Sequence, residues 1–314
     1  MPDFTPPTTP ETTAAPADGP SNLRLRIIYG LIGAAMLLSC VWFSPWSFGL
    51  FFAGVQAVML REFYRIMRAG GYKPAAWIGI GAGFALFISI FLTYQIATHQ
   101  NKVFPWVDKY AINGAACFLL LFPTILLLRE IILWSGNGEK STPFASIGVG
   151  ILGILYVSLP MSLLNVIAFP KAINYGFIVS GYDYRRVVAL LFLIWASDIG
   201  AYIAGKSFGK RKMAPSISPG KTWEGWAGGF LLTLVIGWAM GYFLPDVPLA
   251  HRLVAAGVVA VFAPLGDLAE SMLKRSVGVK DSGTFLPGHG GLLDRFDAFL
   301  LVLPVLALLQ LLAG

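Results

Sequence analysis

Charge is scarce in this chain. Only 12% of its 314 residues are Asp, Glu, Lys or Arg, against about 25% in an average soluble domain. With 56% hydrophobic residues and a mean hydropathy of +0.71, the chain has too little polar surface to cover a water-soluble globule. Cysteine is scarcer still: Cys40 and Cys117 are the only two. Both fall in apolar runs without CxxC spacing, which excludes a disulfide scaffold and a thiolate zinc site and leaves them as packing residues. No segment sustains the period-2 alternation of a membrane β-barrel. Neither a second domain nor the internal repeats common in transporters are evident. The segment 1–22 is rich in Pro and Thr and has no apolar run. It reads as a disordered cytoplasmic tail and not as a signal peptide.

What is present is a series of long apolar runs, so the fold class expected is all-α, a polytopic integral membrane protein with about nine transmembrane helices. The expected spans are Ile27–Phe43, Ser47–Arg61, Ala75–Ala97, Tyr110–Leu128, Ile147–Phe169, Val187–Ala204, Trp226–Leu244, Leu253–Leu268 and Phe296–Leu312. A span needs roughly 17–25 apolar residues, and the second and eighth of these are short. With the N-terminus cytoplasmic, 17 of the 23 Lys and Arg residues fall in cytoplasmic segments. That bias is the positive-inside pattern. The chain then divides into N-terminal transmembrane helices at 23–185 and a C-terminal transmembrane region at 186–314 that holds the densest polar motifs. The bases lie in short loops between spans, so no nucleic-acid partner is expected, whereas anionic lipid head groups are.

The densest chemistry lies between Asp267 and Asp297. Asp267, Ser271 and Lys274 share one face if the eighth span continues as a helix past Gly266. Glu270 is read as lying off that face and solvated. Next come Lys280 and Asp281, and then Pro287-Gly288-His289-Gly290-Gly291. Glycines around His289 permit positive φ and close backbone approach, and such turns can form anion-binding nests. Asp294, Arg295 and Asp297 open the last span. The two acids suit helix capping, and they also suit Mg²⁺, which takes carboxylates together with substrate phosphates. His289 is either a structural histidine or a group for phosphate contact or proton handling, and its setting favours the latter. His99 and His251 fall in outside loops with no chemistry around them.

A second constellation flanks the sixth span. Ser197 and Asp198 lie inside it, where an acid is costly and is either paired with a base or functional. The basic, turn-rich loop that follows ends in Lys221-Thr222-Trp223-Glu224. Thr222 can cap the seventh span, Glu224 suits a helix N-terminus, and Trp223 suits the membrane interface or stacking.

The string Ser271-x-x-Lys274-Arg275-x4-Lys280-Asp281-x5-Pro287-Gly288-His289-Gly290-Gly291-x-x-Asp294-Arg295-x-Asp297 resembles the signature of the phosphatidate cytidylyltransferase (CDP-diglyceride synthase) family at every fixed position. The segments at Ser197-Asp198 and from Ser218 to Gly225 are also similar to that family, in the expected order. The resemblance is close over roughly the C-terminal two-fifths of the chain. Two departures, Ile199 where Thr is usual and Gly220 where a second Lys is common, lie outside the main signature and bear only on local polar contacts.

The resemblance implies transfer of the cytidylyl group of CTP to phosphatidic acid, giving CDP-diacylglycerol and pyrophosphate, in a bacterial inner membrane with the site facing the cytoplasm. It implies Asp267 and Asp294 as ligands of Mg²⁺, with Mn²⁺ or an additional monovalent cation as further options. Ser271 and Lys274 would contact the triphosphate, Arg275, Lys280 and Arg295 would clamp phosphates, and His289 with Gly288, Gly290 and Gly291 would cradle phosphate. Asp297 would orient a base or assist the metal, Asp281 would orient Lys280, and Asp198, Lys221 and Trp223 would form a second wall. The lipid would enter sideways from the bilayer, and a homodimer suits a membrane enzyme of this size.

Two rivals predict other products. A transporter would show flux without CTP consumption, but its charges would not gather at one membrane face. A CTP-dependent lipid kinase would release CDP instead of pyrophosphate. The DGxxAR-type array of a CDP-alcohol phosphotransferase is absent from the sequence.

Overall fold

The computed structural model describes residues 20–98, 121–133, 143–174, 177–283 and 290–313. Among the described residues, helices fall where the apolar runs predict them. They are α1 (Pro20–Phe43), α2 (Pro45–Ala69), α3 (Ala76–Thr98) and α4 (121–133), then α5 (Pro143–Gly153) running through a π turn (Ile154–Ser158) into α6 (Leu159–Ala168). The remainder are α7 (Tyr184–Phe208), α8 (Trp223–Ala239), α9 (Leu249–Ser276) and α10 (Leu293–Ala313). Among the described residues, six helical stretches are long and apolar enough to cross a membrane. The protein is therefore a multi-pass membrane protein.

Local chemistry sets the boundaries. Ser44 precedes Pro45, which disfavours helix at Ser44 and suits the first turn of α2. Ser44 and Ser47 close a reciprocal capping box, each hydroxyl accepting the other's backbone N–H at 3.1 and 3.0 Å. Gly70 and Gly71 follow α2, and Gly71 takes φ +88°. Pro160 has no N–H to give to the preceding turn, and the π turn sits immediately before it. Pro264 likewise frees the carbonyl of Ala260 inside α9, and the Trp226 indole N–H of α8 donates to that oxygen at 3.1 Å.

Several sequence boundaries are corrected. Residues 20–22, assigned to the tail, are the first turn of α1, while 1–19 lie outside the described residues. The second span continues beyond Arg61 to Ala69, so Glu62, Arg65 and Arg68 ride on the same helix. The eighth continues beyond Leu268 to Ser276 in spite of Pro264, and the last begins at Leu293. The all-α expectation missed two short antiparallel ribbons. One pairs β1 (Lys171–Asn174) with β2 (Phe177–Ser180), and the other pairs β3 (Lys212–Ala214) with β4 (Ser218–Thr222) across a register irregularity. The expected fourth span is described only from residue 121 onward, and Cys117 lies outside the described residues.

One apolar cluster links the N- and C-terminal halves. Val41, Phe48, Phe52, Met59 and Phe63 meet Met161, Leu164, Leu190, Ile194, Phe296, Phe299 and Leu303. In lipid this packing is held by close contact, since lipid tails are as apolar as the side chains. The α7–α8 seam is lined by small residues, including Gly200, Gly225 and Gly229, which let the two backbones approach. The C-terminal ends of α2, α7 and α9 and the N-terminal ends of α8 and α10 thereby gather at one end of the bundle, joined by Arg65–Ser282, Lys221–Asp267 and Lys274–Asp294 contacts.

Candidate active site

Two adjoining helices supply most of the site. At Gly266 of α9 an added Cβ would stand 2.5 Å from the Asp297 carbonyl oxygen and 3.0 Å from Ala298 Cα. Only glycine allows α9 and α10 to touch there, and the neighbouring Asp267 is thus set against Asp297. Oxygens of Asp267, Glu270 and Asp297 all lie within 4.8 Å of one another. Ser271, one turn on, donates its hydroxyl to Asp267 Oδ1 at 3.2 Å.

Two ammonium groups are threaded through these acids. Lys221, the penultimate residue of β4, reaches Asp267 Oδ2 at 2.8 Å and the Pro264 carbonyl at 3.0 Å. Lys274 lies between Glu270 Oε2 and Asp294 Oδ1, 2.5 Å from each. A lysine with two carboxylates is buried as a unit, because each charge alone would be expensive away from water. Asp294 Oδ2 also accepts from Ser282 Oγ at 2.8 Å, Gly291 N at 2.9 Å and Ser282 N at 3.2 Å. Asp294 therefore does not stand in the three-carboxylate group. It serves as the counter-charge of Lys274 and ties Ser282 to Gly291, while Asp297 and Glu270 stand beside Asp267.

The turn-rich loop before α8 is ordered by its acids and caps. Thr222 Oγ1 accepts from Gly225 N at 3.1 Å, capping α8. Glu224 accepts from the backbone N–H groups of Lys210 and Arg211 at 3.1 Å and 3.1–3.2 Å, so it fastens the β3 end of the ribbon. Asp198 is exposed on α7 and feels the charges of Asp267, Lys221 and Arg295. Trp223 is half-exposed and meets Trp226 edge-on at 5.9 Å between ring centroids.

The remaining expected residues divide into two groups. Arg275, Lys280, Asp281 and Arg295 are exposed. Gly290 adopts φ +79°, the left-handed conformation that glycine permits. Gly288 and His289 lie outside the described residues.

Three residues escaped the sequence reading. Glu270, read there as solvated, is 1% exposed. It lies only about 40° around the helix from Lys274, four residues on, and faces α10 with Ala263 and Gly266. Glu62 is 5% exposed, an acid on the buried face of α2 with Met59, Phe63 and Ile66. The signal was available, since Arg61, Arg65 and Arg68 follow the i, i+4, i+7 spacing of a separate basic face. Ser282 is fully buried, and nothing in its local sequence marks it.

Chemically, the arrangement can hold a divalent cation on carboxylates and neutralise phosphate oxygens with fixed ammonium groups. A nucleophilic Ser or Cys is not implied, because the groups gathered here are acceptors for cations and donors for anions.

Comparison with known proteins agrees with this chemistry. A model described as "Cytidylyltransferase family" matches residues 24–312. The phosphatidate cytidylyltransferase of Bacillus subtilis (strain 168) is 34% identical over 287 residues, covering 91% of this chain and 96% of that protein. The protein of the same name from Synechocystis sp. is 33% identical over 294 residues, 89% of this chain and 94% of the relative. The one from Staphylococcus aureus (strain COL) is 47% identical over 124 residues, covering 39% of this chain and 48% of the relative.

Proposed function

This chain belongs to the cytidylyltransferase family, and we propose that the joined ends of α2, α8, α9 and α10 are where its reaction takes place. The chain is an enzyme that transfers the cytidylyl group of CTP to phosphatidic acid, producing CDP-diacylglycerol and pyrophosphate in phospholipid synthesis. A phosphate oxygen of the lipid forms a bond to the α-phosphorus of CTP. The bond from that phosphorus to the bridging oxygen of the β-phosphate breaks, and pyrophosphate leaves with the electron pair. The nucleophile is the substrate's own phosphate, so the protein's task is to hold two polyanions in line and to offset their repulsion.

The observation that carries this reading is the interleaving of acids and lysines at one end of a membrane bundle, with Asp267, Glu270 and Asp297 within 4.8 Å of one another. Those three carboxylates fit a hard divalent cation, and we propose Mg²⁺, with Mn²⁺ as the alternative of equal charge. When bound, the cation supplies Lewis-acid polarisation of phosphoryl oxygens. The chain's own residues do the rest. Lys221 and Lys274 present fixed positive charge at the centre, Ser271 offers a hydroxyl beside Asp267, and Arg275, Lys280 and Arg295 receive phosphates at the rim. Asp198 and Trp223 close the α7–α8 side. The chain's three-to-one basic bias supports placing this end in the cytoplasm of a bacterial inner membrane, where CTP is available.

The test uses purified protein in mixed micelles with phosphatidic acid, CTP and Mg²⁺. CDP-diacylglycerol and pyrophosphate should form in equal amounts and stop on chelation. CDP release without pyrophosphate would instead mean a lipid kinase, and no CTP use by folded protein would send the assignment to transport.

A further inference from the structure

Glu62 lies outside the signature segments at 197–198, 218–225 and 271–297, yet it reaches the site from the far half of the chain. Its Oε2 accepts from the backbone N–H of Leu293 at 2.8 Å and stands 3.3 Å from Ser282 Oγ. Leu293 is the first residue of α10, so its N–H has no partner within its own helix. Glu62 thus caps α10 from another helix. The carboxyl occupies a slot between two glycines. A Cβ at Gly283 or at Gly291 would stand 2.7 Å from Glu62 Cδ, so any larger residue at either place would expel it. One turn along α2, Arg65 donates through Nη2 to the Ser282 carbonyl oxygen.

Ser282 connects this clamp to the site. Its hydroxyl has one proton and two carboxylates in reach, Asp294 Oδ2 at 2.8 Å and Glu62 Oε2 at 3.3 Å. The shorter contact assigns the proton to Asp294, which leaves Leu293 N–H as the firm partner of Glu62. Arg65 meanwhile fixes Ser282 through its carbonyl. Ser282 and Leu293 are therefore both held by α2, and Asp294, the residue after Leu293 on α10, holds Lys274 at 2.5 Å.

We infer that Glu62 and Arg65 are positioning residues for cytidylyl transfer: α2 grips Ser282 and Leu293 and so sets where Asp294 and Lys274 stand when the two polyanions bind. The inference rests on the cytidylyltransferase reading for the reaction it serves. A residue of this kind acts on turnover more than on substrate affinity, because a misplacement of about 1 Å at the reacting groups can cost about a hundredfold.

The experiment compares wild type, Glu62→Ala, Glu62→Gln and Arg65→Met as full-length protein in phosphatidic acid micelles. It reads kcat and KM for CTP, thermal stability, and amide hydrogen exchange of peptides covering 278–296. Glu62→Ala is expected to lower kcat about a hundredfold with KM for CTP within about threefold, and to speed exchange in 282–293 alone. Glu62→Gln keeps an acceptor oxygen for Leu293 N–H and should restore kcat to within about fivefold of wild type. Arg65→Met, which loses one carbonyl contact, should fall in between. Unchanged exchange in 282–293 for Glu62→Ala would overturn the clamp, and faster exchange with wild-type kcat would overturn its role in positioning. Faster exchange throughout the protein, with activity falling only as the folded fraction falls and no rescue by Gln, would reduce Glu62 to a fold-stabilising residue and overturn the inference. A wild-type protein forming neither product would instead sink the enzymatic reading, while exchange in 282–293 still judges the clamp.

Discussion

The two ends of the helix bundle handle charge in opposite ways. Inside the site, the four carboxylates of Asp267, Glu270, Asp294 and Asp297 gather around only two ammonium groups, Lys221 and Lys274, and Lys274 must serve two carboxylates at once. At the other end, Arg185 pairs with Asp183 at 2.9 Å and with Asp246 at 3.1 Å, and Arg186 approaches Asp183 at 3.7 Å. Both aspartates are thus paired with arginine, beside a largely apolar cavity of about 580 Å³ bordered by Leu190, Leu193, Met240 and Leu309. Matched surface pairs contribute little beyond geometry, typically about 0–1 kcal/mol. A half-buried excess of carboxylate is held at a cost and invites a cation. The contrast separates an end where carboxylates crowd within 4.8 Å of one another from an end where each aspartate is paired with arginine.

The strongest challenge to that contrast is removal of the carboxylate excess. Asp267→Asn takes one acid from the three-carboxylate group and leaves Lys221 without its partner, and CDP-diacylglycerol formation should fall at least about a thousandfold. Titrating Mg²⁺ in that variant should show a higher concentration for half-maximal rate, and wild-type dependence would break the assignment of the group as a cation site. Lys274→Met should come next. It strands Glu270 and Asp294, and breaking a buried pair in this way costs roughly 3–5 kcal/mol, so thermal unfolding in detergent should shift down as turnover is lost. Gly266→Ala tests geometry without touching charge. The new Cβ would press on the Asp297 carbonyl, and kcat should drop about ten- to a hundredfold through separation of α9 and α10. The smallest effect belongs to the opposite end. Asp246→Asn breaks the Arg185 pair there, and should cost at most about 1 kcal/mol and leave CTP turnover within about twofold. A large loss of activity from Asp246→Asn would erase the distinction between the two ends.

Much of this arrangement was legible in the chain. Among the described residues, apolar run length located the helices, six stretches of which are long and apolar enough to cross a membrane, because a bilayer demands a minimum span and leaves backbone polar groups no partner outside a helix. The spacing of Asp267, Ser271 and Lys274 put them together, and the Ser271–Asp267 contact at 3.2 Å follows from it. Glu62 and Ser282 were another matter. They are 220 residues apart, and their contact exists only because α2 packs beside the turn leading into α10. Glu270 was missed for a smaller reason, an angular estimate that placed it on the solvent side when α10 occupies that side. The β3–β4 ribbon was read as an irregular loop, since its few residues carry Pro215, Pro219 and Gly220 and no alternating pattern.

The sequence by itself determined that this is a membrane protein, which of its segments are helices, and which short stretch concentrates acids and bases. Those properties follow from composition, run length and local spacing, each acting within a turn or a span. Only the tertiary structure decided which acids share a cation-sized space and which are committed to lysine. Asp294 and Asp297 stand three residues apart on one helix, yet the first is taken by Lys274, Ser282 and Gly291 while the second joins Asp267 and Glu270. That division depends on backbone contact at Gly266 and on Glu62 arriving from α2. Charge interactions at this range are fixed by ångström-scale placement of distant elements, which no local pattern of residues records.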